Sequence, residues 1–265
     1  MITINDTHRL EDFGMKATND FEDPITFPFS ANTNRVARSD KFILINENVE
    51  PRPLSIPIRV EGETHLEFET TFNKFKKLFY DDFGKRKEVK IEVDHWQGKF
   101  VNAHLATNLY SDRIRPLAFF TLEFICYDPF KYSNVTADQI LWGTEKINFT
   151  SNYEMGHEGS PSSYQVTGSG TQNITVTVSG LAVFPKININ GTSGPLLLEA
   201  NGEQIELPAF TNAQYNIERF KSTRNGQEVF INARRFYLKP GKNTIRVTGN
   251  NKNFTLGIEF RDRYN

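Results

Sequence analysis

The chain holds a single cysteine, Cys126, in 265 residues. One thiol closes no intrachain disulfide and builds no zinc site of the cysteine-rich kind. Histidine is also sparse, and His8, His65, His95, His104 and His157 form neither H-x-x-x-H nor H-E-x-x-H. No charge of either sign is in excess: 31 basic residues face 32 acidic ones, leaving a net charge of −1 and a pI near 6.5. That balance gives no support for a nucleic-acid-binding face. No apolar run approaches the roughly 18 residues of a membrane span, so no membrane partner is expected. The opening MITINDTHRLEDFG lacks the positive flank and apolar core of a secretory signal. With the lone cysteine, this leads to the expectation of a protein made and folded in a cytosol. In that setting the N-x-T triplets NVT, NFT and NIT are strand-edge composition rather than glycan acceptors.

Phenylalanine is plentiful, at 23 residues, although the mean hydropathy is only −0.50. The apolar content therefore sits in a few aromatic-rich segments. The richest is RPLAFFTLEFICYDPFKY, Arg115 to Tyr132, which stops abruptly at an Asp-Pro. The chain length suggests one large or two medium domains.

Most of the sequence alternates with the period of two that marks a strand. EVKIEVDHW puts Val89, Ile91 and Val93 on one face, and VNAHLA does the same with Val101, Ala103 and Leu105 after a turn near Gln97-Gly98. LSIPIRVEG alternates Ile56, Ile58 and Val60, with Pro57 pointing to an edge or a bulge. In the Phe-rich run, Phe120, Leu122, Phe124 and Cys126 face one way while Phe119, Thr121, Glu123, Ile125 and Tyr127 face the other. A single segment departs from this pattern. Phe68, Phe72, Phe75 and Phe79 recur at i, i+4, i+7 and i+11, which predicts one helix over about 64–82 with its aromatic stripe against a sheet. Thr64 with Glu67 makes a capping-box pattern at its start, and Gly84 suits its exit.

After Tyr132 the composition turns small and polar (HEGSPSSYQVTGSGT), and explicit turns follow. Asn201-Gly202 and Asn225-Gly226 are type I′ hairpin signals, and Pro240-Gly241 fits the centre of a type II turn. The last strand alternates Phe254, Leu256, Ile258 and Phe260 inward. The reading is a mainly β fold in two domains without internal repeats. Residues 1–133 form a β-sandwich or split-barrel-like domain with one helix, and residues 134–265 an antiparallel β-sandwich of roughly eight to ten short strands.

Chemistry is hard to place on this sequence. His95, beside Asp94 and Trp96, reads as the end of a hairpin. Cys126, on an apolar strand face, reads as a buried small hydrophobe rather than a nucleophile. Gly168 and Gly170 in TGSGTQN lack a third glycine and a following helix, so they cradle no phosphate. The acidic residues nominate no carboxylate pair of the kind that cleaves glycosides. The expectation is a non-enzyme with no catalytic, cofactor or metal residues. Trp142, Tyr153, Tyr164, Tyr215 and Tyr237 remain open: they fill a core or a subunit contact, or they stack on sugar rings.

The Phe-rich strand resembles the one that closes the first domain in the distal tail protein (Dit) family, hub proteins of long, flexible-tailed phages. The resemblance rests on Phe120, Leu122, Phe124, Cys126, Asp128, Pro129, Phe130 and Tyr132. It extends to the opening MITINDTHRLEDFGMKAT, to the lone helix with Phe68, Phe72, Phe75 and Phe79, and to FYLKPGKNTIRVTG, where Leu238, Pro240, Gly241, Asn243 and Ile245 carry a Leu-x-Pro-Gly-x-Asn-x-Ile pattern. One departure is the hairpin NTNRVARSDKFIL, which has no glycine near its tip where the family often does. The resemblance implies a structural virion protein at the tail tip, assembled in the bacterial cytoplasm as a homo-hexameric ring. First domains would form the ring and extend the DNA channel without tight nucleic-acid binding. Galectin-like or carbohydrate-module-like second domains would be docking platforms. The implied partners are the tail-tube protein, the tail-associated lysin or fibre protein and, in some members, receptor-binding proteins. The alternative is a lectin-like module for cell-wall glycans. On the first reading the Phe-rich strand is covered on both faces, by the helix on one and by a partner sheet or neighbouring subunit on the other.

Overall fold

The computed structural model describes the chain except for residues 19–20, 25, 37–38, 62–64, 107–111, 115–116, 140–160 and 162. Thr64 of the capping-box pattern, Trp142 and Tyr153 therefore lie outside the described residues. The chain divides into two compact units, Met1–Lys131 and Tyr132–Tyr264.

In the first unit, alternation of apolar residues builds an antiparallel sheet in the order His8–Arg9, Ile2–Ile4, Val89–Val93, Lys99–Leu105, Leu117–Cys126, Arg52–Glu61, Met15–Ala17. The Lys99–Leu105 strand pairs with Val89–Val93 through Phe100 to Ala103, but with Leu117–Cys126 only through His104 and Leu105. The sheet therefore curls, and its concave side receives the alternating apolar residues of its longer strands. Val89, Ile91, Val93, Val101, Ala103, Leu105, Phe120, Leu122, Phe124 and Cys126 are all buried in one core. Across the central pair, Phe120 lies opposite Ile58, Leu122 opposite Ile56 and Phe124 opposite Leu54. Pro57 sits where the short Met15–Ala17 strand runs out; its carbonyl accepts the Thr18 N–H at 2.9 Å, and its missing N–H leaves no ladder bond broken.

The helix is shorter than its aromatic spacing predicts, running His65–Lys76. Leu78 and Phe79 donate to the carbonyls of Phe75 and Lys76 at 3.0 and 3.1 Å, which tightens the last turn. The Asp81 carboxylate then takes the N–H groups of Phe83 and Lys85, a local alternative to further helix. Gly84, at φ +75°, belongs to that turn rather than to the helix exit. The stripe nevertheless survives the break. Phe75 and Phe79 are fully buried with ring centroids 5.0 Å apart, Phe79 meets Phe124 at 5.6 Å and Phe72 meets Phe120 at 5.5 Å. Phe68 lies on the helix, but its side chain is outside the described residues.

Among the described residues, the opposite face of the Phe-rich strand, the one for which a partner sheet or neighbouring subunit is expected, stays partly open. Phe119 and Tyr127 are exposed there, Tyr127 with its ring 5.3 Å from that of His104.

The second unit orders its antiparallel strands Glu203–Leu207, Leu196–Ala200, Gly241–Glu259, Lys186–Ser193, Phe210–Ile217, Ser222–Arg224, Gln227–Glu228, with Tyr164–Val178 beside Gly241–Glu259. The expectation of uniformly short strands fails here, because two of them run 15 and 19 residues. Residues 246–249 of the longest pair with Leu196–Ala200, while residues 253–259 pair with Lys186–Ser193. The sheet thus folds over on itself around a single core. The bend falls at a bulge between Gly168 and Gly170, where positive φ lets the strand turn without ending. Buried Lys252 donates there to the carbonyls of Gly170 and Val247 at 2.6 and 3.2 Å. Asn201 and Gly202, like Asn225 and Gly226, have the paired positive φ of type I′ turns. Among the described residues no helix is long and apolar enough to cross a membrane.

Candidate functional site

The Phe-rich strand leaves the first unit through a buried polar knot. Arg52 lies opposite Cys126 in the sheet and is fully buried. Its guanidinium donates to the carbonyls of Pro24 at 2.8 Å and Pro129 at 3.1 Å, and its Nε faces Asp23 Oδ1 at 3.6 Å. The other oxygen of Asp23 accepts from Lys131 Nζ at 2.6 Å and from the Trp96 indole at 3.0 Å. The Lys131 ammonium also sits 4.9 Å over the Trp96 ring. The ladder ends at the Cys126–Arg52 pair, three residues before Pro129, whose carbonyl is held by Arg52. Asp128 accepts the Phe130 N–H at 3.3 Å, and the Phe130 ring packs edge-on to Phe27 at 5.0 Å. Tyr132 follows as the first residue of the second unit. The motif residues Asp128, Pro129 and Phe130 thus mark a fastened exit. Sequence reading missed Arg52, Asp23 and Lys131, which lie far apart along the chain and form no local pattern.

Cys126 is fully buried, and that burial pushes its thiol up to about 12, with the nearby Arg52 charge opposing only in part. It is therefore a neutral thiol at physiological pH and no nucleophile. In native protein it is expected to resist Ellman's reagent until denaturant is added. Rapid stoichiometric labelling of the folded chain would overturn the strand register.

At the far end of the chain, the Leu-x-Pro-Gly-x-Asn residues have a structural reason. Leu238 is buried and Gly241 takes φ +85°. The Asn243 amide spans the turn between them, donating to the carbonyls of Lys239 at 2.7 Å and Gly241 at 2.9 Å. Its oxygen accepts the Lys239 N–H at 2.9 Å and the Asn201 amide at 3.0 Å. One side chain therefore ties the Pro240-Gly241 turn to the Asn201-Gly202 hairpin.

The most unusual surface belongs to the hairpin Phe29–Arg35 and Phe42–Val49, which forms a two-stranded sheet of its own. Phe42, Ile43, Leu44 and Ile45 are 64%, 58%, 56% and 61% exposed. Successive residues of a strand point to opposite faces, so the Phe42–Ile45 run is apolar and open on both faces, opposite the polar Thr33, Asn34 and Arg35. Arg35 and Asp40 pair at 3.4 Å near the tip, where a Val36 N–H to Lys41 carbonyl bond of 3.0 Å closes the turn.

The remaining candidates resolve into structure. His95 lies in the tight turn Asp94–Trp96, its ring edge-on to Phe21 at 5.2 Å. Tyr215 is in the core beside Phe210, and Tyr164 donates to the Thr175 carbonyl at 3.2 Å, so neither offers a free sugar platform. Tyr237 is half-buried, 6.5 Å from the Phe184 ring. Gly168 and Gly170 serve the strand bend. A depression near the first strand is lined by Asp6, Asp12 and Asp94, but these carboxylates are engaged by Lys90, the Arg9 N–H and the N-terminal amine. No group of metal-ligating side chains gathers among the described residues.

Residues 8–126, most of the first unit, match the phage tail protein RIFT-related domain. No curated protein matches the sequence. Among solved structures, the Dit (gp 19.1) protein of phage SPP1, described as a paradigm of the hub adsorption apparatus in Gram-positive infecting phages, is similar over 100% of this chain and 98% of its own, with a TM-score of 0.70 at 16% identity. Two structures of the phage P2 baseplate in its activated conformation, with Ca and with Sr, are similar over 94% and 95% of this chain and 91% and 92% of theirs. Their TM-scores are 0.43 and 0.42, at 11% and 10% identity. The matched domain over residues 8–126 and the likeness in fold over the full chain lie in the direction of the family resemblance read from the sequence.

Proposed function

We propose that the chain is the structural hub of a tail tip or baseplate, a virion component that closes into a homo-hexameric ring after assembly in the bacterial cytoplasm. Residues 1–133 make the ring and extend the DNA channel, and residues 134–265 are carried as docking platforms. The ring joins the tail-tube protein on one side to the tail-associated lysin or fibre protein on the other, with receptor-binding proteins at the platforms. The observation that carries this reading is the hairpin of Phe29–Arg35 and Phe42–Val49. A lone two-stranded sheet is marginal in water, and one with Phe42, Ile43, Leu44 and Ile45 open on both faces needs cover on both. A repeated heterologous contact that closes supplies such cover to every copy. The open outer face at Phe119 and Tyr127 offers a second apolar contact. A near-zero net charge fits a conduit, since each phosphate contact by Lys or Arg would release counterions and hold the duplex.

The expected result is a particle of six times the 30.5 kDa chain by light scattering, with a central hole in negative stain. Physiological salt should leave no measurable duplex binding. Ile43→Glu together with Ile45→Glu should release monomers, and a fragment starting at Asn134 should stay monomeric. Wild-type monomer across micromolar concentrations would sink the ring. An intact ring in the double variant would remove the hairpin from it.

A further inference from the structure

The second unit carries a surface around Phe220 that its fold does not explain. Phe220 is 74% exposed at the tip of a turn closed by a Glu218 N–H to Lys221 carbonyl bond of 2.9 Å. The Arg219 guanidinium lies 3.8 Å from the Phe184 ring centroid and 4.8 Å from that of Phe220, held between two phenyl rings. Arg234 approaches Phe220 as well, at 5.9 Å. Among the described residues neither arginine has a carboxylate partner. Two acids of neighbouring sequence are matched elsewhere, Glu218 with Lys186 and Glu228 with Lys221, each at 3.7 Å.

We propose that Phe184, Arg219, Phe220 and Arg234 form a docking site for an acidic segment of a partner protein, one whose carboxylates flank an apolar side chain. A guanidinium laid on aromatic faces is already ordered, and its N–H edges remain directed outward for paired bonds to a carboxylate. Arginine and aromatic residues are also the types enriched where protein surfaces meet. The phenyl ring separates this occupant from others. Phe220 brings no hydroxyl or N–H to orient a sugar, and a bare phosphate polymer gains nothing from it, whereas an apolar side chain gains cover from water. The proposal rests on the platform reading above, yet it is tested without the ring.

The test is anisotropy of a fluorescein-labelled decapeptide of alternating Glu and Leu, titrated with the full-length chain at low and at physiological salt. Wild-type protein binds it, while Arg219→Gln and Phe220→Ser each weaken binding by about tenfold, the scale of one anchor residue. A Gln-Leu peptide binds the wild type no better than the Glu-Leu peptide binds Arg219→Gln. Both substituted side chains lie at the surface, and thermal unfolding and particle mass stay at their wild-type values. No binding by wild type, or equal binding by the variants, overturns the site. So does inorganic polyphosphate binding that ignores Phe220→Ser while the peptide fails, which marks a general polyanion surface. Failure of the hub reading would show instead as wild-type monomer, with the peptide result unchanged.

Discussion

Replacing Asp23 by alanine is expected to destabilise the first unit by about 3–5 kcal/mol, the cost of breaking a buried ion pair from one side. Asp23 is the carboxylate that faces both Arg52 and Lys131. Its loss strands the fully buried Arg52, removes the acceptor of Lys131 and leaves the Trp96 indole N–H unpaired. Arg52→Met should be milder. Asp23 would keep Lys131 and Trp96, and only the Pro24 and Pro129 carbonyls would lose a donor. The order of the two variants in urea unfolding is thus the test. Arg52→Met at or beyond the cost of Asp23→Ala would show that the carbonyl bonds, not the charges, hold the exit.

Phe75→Ala should cost a similar amount, about 3–5 kcal/mol, for a different reason. Its ring is fully buried and touches Phe13 at 5.3 Å and Phe79 at 5.0 Å. Phe79 in turn meets Phe124, so the cavity would open beneath the one helix at its contact with the Phe-rich strand. Lys74→Ala, exposed on the same helix, should cost under about 0.5 kcal/mol. Equal and mild effects at both positions would mean that the aromatic stripe does not anchor the helix.

Much of the first core was legible because a period of two and a period of 3.6 are local signals. Val89 to Val93, Ile56 to Val60 and Phe120 to Cys126 needed only their own spacing. Where side chains compete with backbone bonds, the pattern misled: Phe79 keeps helical phase, yet the Asp81 carboxylate has begun a turn. Gly168 and Gly170 stood in a stretch legible only as small and polar, because a bend inside a strand uses the same residues as a turn. The knot was beyond reach altogether. Asp23 and Arg52 meet partners 73, 77 and 108 residues away, and no neighbouring residue announces them. The hairpin run Phe42 to Ile45 was visibly apolar, but four such residues read alike whether a strand is buried in its own chain or waits for another.

That waiting has a cost in time. A strand with an unpaired edge and four uncharged β-formers in a row is a template for stacking with its own kind. In the isolated chain the restraint on fibril growth is local: Arg35, Asp40 and Lys41 at one end of the run, Glu47 and Glu50 at the other. On the proposed ring reading, productive association and aggregation both speed up with concentration, so soluble yield follows the ratio of their rates rather than the stability of either unit.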